Sequence, residues 1–596
     1  MGFLGRDARE RKLEQPAVSV ELVDESLCEE APGWKPSTHE LLVMLTLSVV
    51  SFMVALDACI IVTSLSSIVI DLGGDSTQGF WVGTAYLLAN AVSMPFLAAI
   101  SDIFGRPILL VASILFFTVG SAMCCSAHTM GVLLAGRSVQ GIGGGGIIVL
   151  SLVIFTDIVP LRYRPKWYGT VQGAWGLGNC IGPIVGGAIA QNTSWRWVFY
   201  IMFPFCGFGL ATIPFLLTLK PRTETMGEKL ARVDWIGGFI FVSSATSFLI
   251  AISWGGSQFP WNSAQTLAPL IIGAFGLGGT YAWERYGARE PFLRHSLFNS
   301  ISAVATFFCA AAQGLVIFGQ LYYVPFYFLS ILAYSPVKTG LALFPVAFTL
   351  VPGSILTGVL VTRFNNFRVP IWVGWVVLTA GCGATVAWGR DTSVAVWVVT
   401  LVVLGLGHGA ILNAQNFACQ AMCADGEEGS AAAMYGFLRH FSTALGVGVG
   451  GSTFQNVMAR RLRALNLPAA IARDAEAFVP RLLAMPRGDA TRWRIEGAYV
   501  AGFRGVFAVY LGVSGLALLL SLAIRHFDMN KEIGTEHTLE GNRFARMVDQ
   551  RLGSGGRSVS PTLVDESERE AEAKRDSLAP RSPVMRKATP EPYVGT

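Results

Sequence analysis

Two charged residues interrupt long apolar runs, and their chemistry depends on being buried. Arg137 lies in a run that is otherwise apolar from about residue 131 to 155, and Asp57 lies in the first such run. An arginine inside a lipid-spanning helix costs roughly 2.5–3.5 kcal/mol on insertion scales, so it usually faces the bundle interior and has a function. Burial penalises the ionised form of a carboxyl group, so Asp57 could bind and release a proton near neutral pH.

We therefore hypothesise that Asp57 and Arg137 form a pair that takes part in proton coupling. The alternative is structural. Arg137 lies only about two turns from the start of its apolar run, so its long side chain could reach the lipid headgroups. In the first interpretation the Arg137 guanidinium points into the helix bundle, and in the second it points out to the lipid headgroups.

The composition identifies the kind of protein that must hold these residues. The chain has 596 residues, of which 52% are hydrophobic and only 14% are charged, and its net charge is +5. Soluble domains carry about 25% charged residues, so this is a membrane protein, and its small charge gives no reason to expect nucleic acid binding. The sequence shows no metal-ligand spacing, no phosphate-binding loop and no catalytic triad pattern. We expect no cofactor, no metal and no enzymatic activity.

The apolar runs predict an all-α membrane protein with about fourteen transmembrane helices, since each run is near the ~20 residues that cross a bilayer. The predicted spans are 40–62, 80–100, 108–126, 131–155, 167–191, 197–219, 235–254, 266–285, 300–325, 337–362, 369–390, 394–415, 432–456 and 503–525. The polar segments 1–39 and 526–596 are predicted to be disordered cytoplasmic tails.

Loop charges give the orientation, because Lys and Arg accumulate in short cytoplasmic loops. With the N-terminus inside, the short outer loops carry only Arg196, Lys338 and Arg390, and the inner loops carry many more basic residues. The exception is the long, arginine-rich segment 457–502, which the span count places outside as an extracellular loop. Asn192 begins an Asn-Thr-Ser acceptor pattern in an outer loop, which predicts a glycosylation site.

Four motifs occur in the order and positions of one known family. They are Leu56-Asp57 in the first helix, AAISDIFGR at 98–106, RSVQG at 137–141 and GNCIGPIVGG at 178–187. With them the chain, over about residues 40 to 525, resembles the major facilitator superfamily, in the fourteen-span drug:proton antiporter branch of fungal type. The resemblance implies two six-helix pseudo-repeat halves, 40–219 and 300–525, and a linker with two extra helices at 220–299.

The resemblance also implies roles for the motif residues. Asp102, Gly105 and Arg106 would form a conformational gate, and an exposed ion pair worth about 0–1 kcal/mol suits a latch that opens each cycle. Gly178, Gly182, Pro183, Gly186 and Gly187 would form the antiporter hinge, where small residues on one face allow close packing and the proline allows bending. The sequence departs from the family pattern at Ala98, Ile103 and Pro107, so we expect a weaker latch.

Polar residues inside apolar runs are the candidates for a substrate cavity, because such side chains rarely face lipid. The residues selected are Gln140, Gln172, Gln320, His408, Asn413 and Arg439, with Gln313, Gln415, Asn416 and His440 as further candidates. For His408, a satisfied contact between helices is the alternative role.

The expected function is that of a secondary transporter that exports small amphipathic organic molecules in exchange for protons by alternating access. It would be a monomer in the plasma membrane, with the vacuolar membrane as the alternative. A vacuolar basic amino acid transporter or a siderophore transporter remains an alternative function, as does a receptor or sensor that does not transport.

Overall fold

The structure, a computed structural model, describes residues 34–74, 76–217, 225–256 and 258–530. Fourteen long helices make up most of these residues, and no strand is found in the ranges described. The helices are α1 Thr38–Asp71, α2 Ser76–Phe104, α3 Arg106–Cys125, α4 Met130–Ile158, α5 Gly169–Asn192, α6 Trp197–Tyr200 with Phe203–Leu216, α7 Trp235–Trp254, α8 Ala264–Tyr286, α9 Ile301–Ser330, α10 Pro336–Ala342 with Phe344–Phe364, α11 Arg368–Val386, α12 Val394–Met422, α13 Glu428–Ala464 and α14 Ala490–Ser521.

Several helices begin where a polar side chain caps the first turn. The Ser37 hydroxyl accepts a hydrogen bond from the Glu40 backbone N–H, and the Glu40 carboxylate accepts one from the Ser37 backbone. The hydroxyls of Thr129 and Ser300 likewise accept a hydrogen bond from a backbone N–H in the first turn of α4 and α9. A cap satisfies backbone donors that have no partner inside the helix, so these residues set helix starts close to the predicted ones.

The connections between successive helices alternate between two ends of the bundle. We name these ends after Arg106, which begins α3, and Arg196, which precedes α6. At the Arg106 end, His39 Nε2 of α1 lies 2.8 Å from the carbonyl oxygen of Leu216 at the end of α6. At the Arg196 end, the side chain of Arg196 donates to the carboxylate of Asp71 at the end of α1 (3.1 Å).

Twelve of these helices are long and apolar enough to cross a membrane, judged by length and composition over the described residues. The two long helices outside that set are α5 and α13, which are rich in glycine or carry charged residues. Both run between the two ends like their neighbours and are packed among the other helices. The multi-pass helical membrane fold is therefore as predicted, and the count of fourteen crossings stays a prediction.

Helix α7 pairs with α8 and also lies beside α2 and α13, one from each side of the linker. Phe96 of α2 meets Trp235 at the start of α7, with ring centroids 6.0 Å apart. Farther along α7, Phe241 meets Phe437 of α13 at 5.4 Å. Aromatic contacts of this kind bury large apolar areas, so the extra pair joins α2 to α13 along one face.

The arginine-rich segment 457–502 is largely helical, whereas the sequence suggests a loop. Helix α13 continues to Ala464, a helix spans Ala475–Ala484, and α14 already begins at Ala490. The Tyr499 hydroxyl donates to the Ala475 carbonyl oxygen (2.5 Å), and the Tyr322 hydroxyl donates to the Glu476 carboxylate (2.6 Å). The alanines favour helix, and these two contacts dock the segment on the Arg196 end.

A few residues of each predicted tail belong to the folded part of the protein. Thr38, inside the predicted N-terminal tail, starts α1, and residues 526–530 still contact the bundle. Asp528 accepts a hydrogen bond from Asn365 (2.8 Å), and Asn530 accepts one from Arg162 (3.0 Å). The remainder of the two predicted tails lies outside the described residues.

Candidate functional site

Asp57 and Arg137 form an ion pair in the interior of the protein. Arg137 Nη1 lies 2.8 Å from Asp57 Oδ2, and the two side chains are 1% and 0% exposed. Arg137 therefore points into the bundle, and the alternative in which it reaches the lipid headgroups is wrong. The hypothesised partner is present, although 80 residues separate the two positions in sequence.

The pair is surrounded by further hydrogen bonds. Gln140 donates from Nε2 to Asp57 Oδ1 (2.9 Å) and its Oε1 accepts from Arg137 Nη1 (2.5 Å). Arg137 Nε also donates to the Val82 carbonyl oxygen of α2 (3.1 Å), and its guanidinium lies 4.2 Å from the Tyr86 ring centroid. Both carboxylate oxygens thus have donors, which is the arrangement that stabilises an ionised buried carboxylate.

This network has a simple chemical capacity. A buried ion pair is stable only while both partners are charged, and removal of one partner typically costs about 3–5 kcal/mol. A proton bound by Asp57 would therefore leave the Arg137 guanidinium without its counter-charge and favour a new arrangement of α1, α2 and α4.

Arg106 sits at the centre of a second cluster, at the end of the bundle that bears its name. It pairs with Asp102, its predicted partner, and also with Asp157 at the end of α4 (3.0 Å). Its Nη1 donates to the Ser101 hydroxyl (2.6 Å). The intervening Gly105 has φ +100°, a conformation that glycine adopts without strain.

The latch differs from the predicted exposed pair. Arg106 and Asp157 are 6% and 7% exposed, and only Asp102, at 34%, reaches solvent. The estimate of about 0–1 kcal/mol for an exposed pair therefore does not apply to the contact between Arg106 and Asp157. The sequence signal for Asp157 was its position as a carboxylate at the end of an apolar run on the same side as Arg106.

The same end holds contacts between the first six helices and the last six. Arg164, in the short helix Arg164–Trp167, donates to the Gln420 side chain of α12 (2.9 Å) and to the carbonyl oxygen of Val159 (2.7 Å). Burial lowers the pKa of Arg164 to about 10, so it stays protonated near neutral pH. In the sequence, Arg164 is one of the many basic residues of the inner loops, and nothing near it indicates Gln420, which lies 256 residues away.

Asn413 belongs to this closure. Its Nδ2 donates to the carbonyl oxygens of Pro165 and Ser354 (both 3.0 Å). Asn413 of α12 therefore connects the short helix Arg164–Trp167 with α10. Gly358 of α10 packs against Pro165 as well, since a Cβ at Gly358 would lie 2.1 Å from the Pro165 oxygen. The structure places Asn413 in the contact between the halves, instead of giving it an open site to line.

A cavity of about 380 Å³ opens at the Arg106 end, beside the latch. It is lined by Asp102, Arg106 and Asp157 of the latch, by Phe292 from the segment after α8, and by Glu428 at the start of α13. The latch therefore borders a cavity whose walls come from the first half, the linker and α13.

Three of the predicted hinge glycines bring α5 against α1, the helix that carries Asp57. A Cβ at Gly178, Gly182 or Gly186 would lie 2.7, 2.8 or 2.1 Å from atoms of α1, closer than real Cβ contacts. The Pro183 carbonyl oxygen accepts a hydrogen bond from the Thr63 hydroxyl of α1 (3.0 Å). A Cβ at Gly187 would stand at an ordinary 3.8 Å, since its position is turned away from this face.

The remaining cavity candidates fall into different places. Gln140 belongs to the ion-pair network, and Gln320 and His408 contact each other, with 3.2 Å between Oε1 and Nε2. Gln172 is half-buried on α5. Asn192 is the exposed last residue of α5 at the Arg196 end, and its glycosylation stays a prediction.

Arg439 is the most unusual of the cavity candidates. Arg439 belongs to α13 and is only 8% exposed. Its Nε and Nη2 have no hydrogen-bond partner among the described residues. Its guanidinium carbon lies 5.6 Å from the ring centroid of Trp175, which belongs to α5. A side chain from each half therefore meets at this point.

Known proteins match the chain over most of its length. The model of the Major Facilitator Superfamily matches residues 47–447. The MFS transporter L2 of Phoma sp. is 37% identical over 85% of this chain and 84% of its own length. The MFS-type efflux pump LUC4 of Fusarium sp. is 32% identical, with 84% and 90% covered, and the acurin A biosynthesis cluster MFS-type transporter of Aspergillus aculeatus is 32% identical, with 86% and 93% covered.

Solved structures share the fold at lower identity. The human organic anion transporter MFSD10 (TETRAN) aligns with a TM-score of 0.52 and 13% identity, over 82% of this chain and all of that one. A bacterial homolog to the human lysosomal transporter Spinster aligns with a TM-score of 0.52 and 18% identity, over 83% and 98%. The helical architecture, the ordered motifs and the curated relatives agree, and this chain is a transporter of the Major Facilitator Superfamily.

Proposed function

We propose that this protein exports small amphipathic organic molecules in exchange for protons, with Asp57 as the proton-binding group. The observation that carries the proposal is the buried ion pair of Asp57 and Arg137. Three curated relatives are named as an efflux pump or as transporters, one of them in a biosynthesis cluster, which supports export of an organic compound as the activity.

The proposed cycle begins with Asp57 ionised and paired with Arg137. A proton that enters from the Arg196 end neutralises Asp57, and the Arg137 guanidinium then keeps the Val82 carbonyl oxygen, Gln140 and the Tyr86 ring but no counter-charge. The loss of a counter-charge in a dry site destabilises this arrangement. Release of the proton to the other side restores the pair, so each cycle moves one proton across the membrane.

Helix packing connects this event to the rest of the protein. Helix α1 carries Asp57 and packs on the α5 glycines, and α5 meets the second half at Gly176, where a Cβ would lie 2.1 Å from the Val351 side chain. A shift of α1 is therefore passed to the interface between the halves. The latch at Arg106 and the contact between Arg164 and Gln420 must open when the Arg106 end opens.

The test uses purified protein in liposomes loaded with the pH-sensitive dye pyranine. Addition of rhodamine 6G, a cationic amphipathic probe, or 1-pyrenebutyrate, an anionic one, should drive proton movement in the direction opposite to the probe. A protonophore should abolish probe accumulation. Probe movement that is unaffected by the protonophore would contradict proton exchange, and proton movement without any probe movement would contradict export.

The plasma membrane is the proposed location and a monomer the proposed transport unit. Fluorescence microscopy of the full chain fused to a fluorescent protein distinguishes the cell periphery from the vacuolar rim. Light scattering of the detergent-solubilised protein measures the mass of the particle. Vacuolar labelling would favour the alternative of an importer into that organelle.

A further inference from the structure

Arg439 is a buried cation for which the described part of the protein supplies no carboxylate. Arg137 pairs with Asp57, and Arg106 pairs with Asp102 and Asp157. Arg439 instead leaves Nε and Nη2 without hydrogen-bond partners among the described residues, and its guanidinium lies over the Trp175 ring. A buried charge is stable when it is paired and hydrogen-bonded, so this guanidinium is a candidate site for an anionic group.

Other buried polar atoms near this level of the bundle also lack partners. They are Oε1 of Gln313 and Nδ1 of His408. Gln313 donates from Nε2 to the His408 carbonyl oxygen (3.2 Å), which places α9 beside α12. A Cβ at Gly314 would lie 2.1 Å from the Arg439 carbonyl oxygen, which places α9 beside α13 at the same level.

There is space beside this cluster. Gly436 lies three residues before Arg439 on α13 and is buried, yet a Cβ built at Gly436 would meet nothing within 4 Å. Closely packed interiors do not leave such gaps. Trp175 of α5 closes the other side of the guanidinium, so the first half of the protein provides an apolar aromatic face.

We propose that Arg439 binds an anionic group of the transported molecule, which makes amphipathic organic anions a substrate class of this protein. The inference rests on the proposed function, because it concerns the cargo of the same export cycle. The guanidinium is planar, always charged and shaped for two parallel hydrogen bonds to a carboxylate. The cargo's apolar body lies against Trp175 while Gln313 and His408 offer further hydrogen bonds.

The test compares two probes that differ only in charge. Full-length protein in detergent is titrated with 1-pyrenebutyrate and with its methyl ester, and binding is followed by pyrene fluorescence. A hydrogen bond to a charged group predicts that the acid binds about ten- to hundredfold more tightly than the ester. Equal affinities of the wild-type protein for acid and ester would overturn the proposal.

Three variants locate the preference. Arg439→Gln should bring the two affinities together by weakening only the acid, and Arg439→Lys should keep part of the preference because it keeps the charge. Arg390→Gln is the matched control, since Arg390 also stacks on a tryptophan, Trp493, but at the Arg196 end (3.6 Å). A preference that survives Arg439→Gln, or that disappears in Arg390→Gln, would overturn the proposal.

Ester binding reports whether each variant is folded. If Arg439→Gln loses ester binding too, the wild-type ratio and Arg439→Lys decide the question. Failure of the proposed function gives a different result, because proton movement would be absent while the acid is still preferred. Failure of this inference leaves proton-coupled movement of rhodamine 6G intact.

Discussion

Gly186 of α5 lies against the carbonyl group of Ile60 in α1, so closely that a Cβ at Gly186 would stand 2.1 Å from that oxygen. Ile60 is one turn from Asp57 on the same helix. Any movement of α5 at this point therefore moves the backbone that positions the proton-binding carboxylate.

Replacement of Gly186 by alanine should separate α1 from α5. The added methyl group has backbone as its neighbour, and overpacking of this kind typically costs about 1–3 kcal/mol. We expect Gly186→Ala to lower the melting temperature and to impair transport in liposomes. Gly187→Ala is the control, because its methyl group would stand 3.8 Å from Thr63. Equal behaviour of the two variants would contradict the tight contact.

Asp57→Asn should remove proton coupling. Asparagine keeps the size of the side chain but leaves Arg137 without a counter-charge, a loss of about 3–5 kcal/mol for a buried pair. We expect no proton movement in the pyranine assay and a lower melting temperature. Asp71→Asn is the control, since Asp71 lies at the end of the same helix, where it pairs with Arg196 and is half-exposed. Wild-type coupling in Asp57→Asn would contradict the proposed role.

Asp157→Asn should weaken the latch more than Asp102→Asn. Both carboxylates pair with Arg106, but Asp157 is 7% exposed and Asp102 is 34% exposed, so water screens the second contact. Loss of a buried hydrogen bond to a charged group is worth about 1.5–3 kcal/mol. Hydrogen–deuterium exchange at the start of α3 should rise more in Asp157→Asn. A larger rise in Asp102→Asn would contradict the assigned partner.

Gln420→Ala should loosen the closure between the two halves at the Arg106 end. Arg164 would keep the carbonyl oxygens of Val159 and Thr156 in its own half but lose its hydrogen bond to α12. We expect faster hydrogen–deuterium exchange over residues 161–167. The pKa of Arg164, lowered by burial to about 10, keeps it charged near neutral pH, so the effect should not change there with pH. Asn456→Ala, at an exposed amide of the Arg196 end, should leave this exchange unchanged.

Docking of the helix Ala475–Ala484 should weaken as pH rises. Burial raises the pKa of Glu476 above its ordinary 4.5, so the docked helix favours the protonated carboxyl group. Stability from this group is complete below the ordinary pKa and is lost as pH rises through the raised one. Exchange at residues 475–484 should therefore increase with pH beyond the intrinsic rate change. Glu476→Gln should remove that increase, and an unchanged profile in the variant would contradict the assignment.

Several features of this protein depend on local composition and are therefore predictable from the amino-acid sequence. Apolar runs of membrane length gave the helices, polar caps such as Ser37 gave their starts, and a charge in each of two runs identified Asp57 and Arg137. The glycine spacing of α5 predicted a packing face, although Gly187 is turned away from it. These properties are predictable because the length of a membrane span and the spacing of residues on a helix face depend only on residues close together in the sequence.

Which distant groups meet depends on the packing of the helices. The fold brings Asp157 to Arg106, Gln420 to Arg164 and Gln140 to Asp57, and among the described residues it places Arg439 beside Trp175 without a carboxylate. It also docks the arginine-rich segment on the bundle, because Glu476 finds a partner in Tyr322 of α9. Pairing depends on how helices cross in space, and a buried polar group is stabilised by whichever partner the packing delivers, regardless of its distance along the chain.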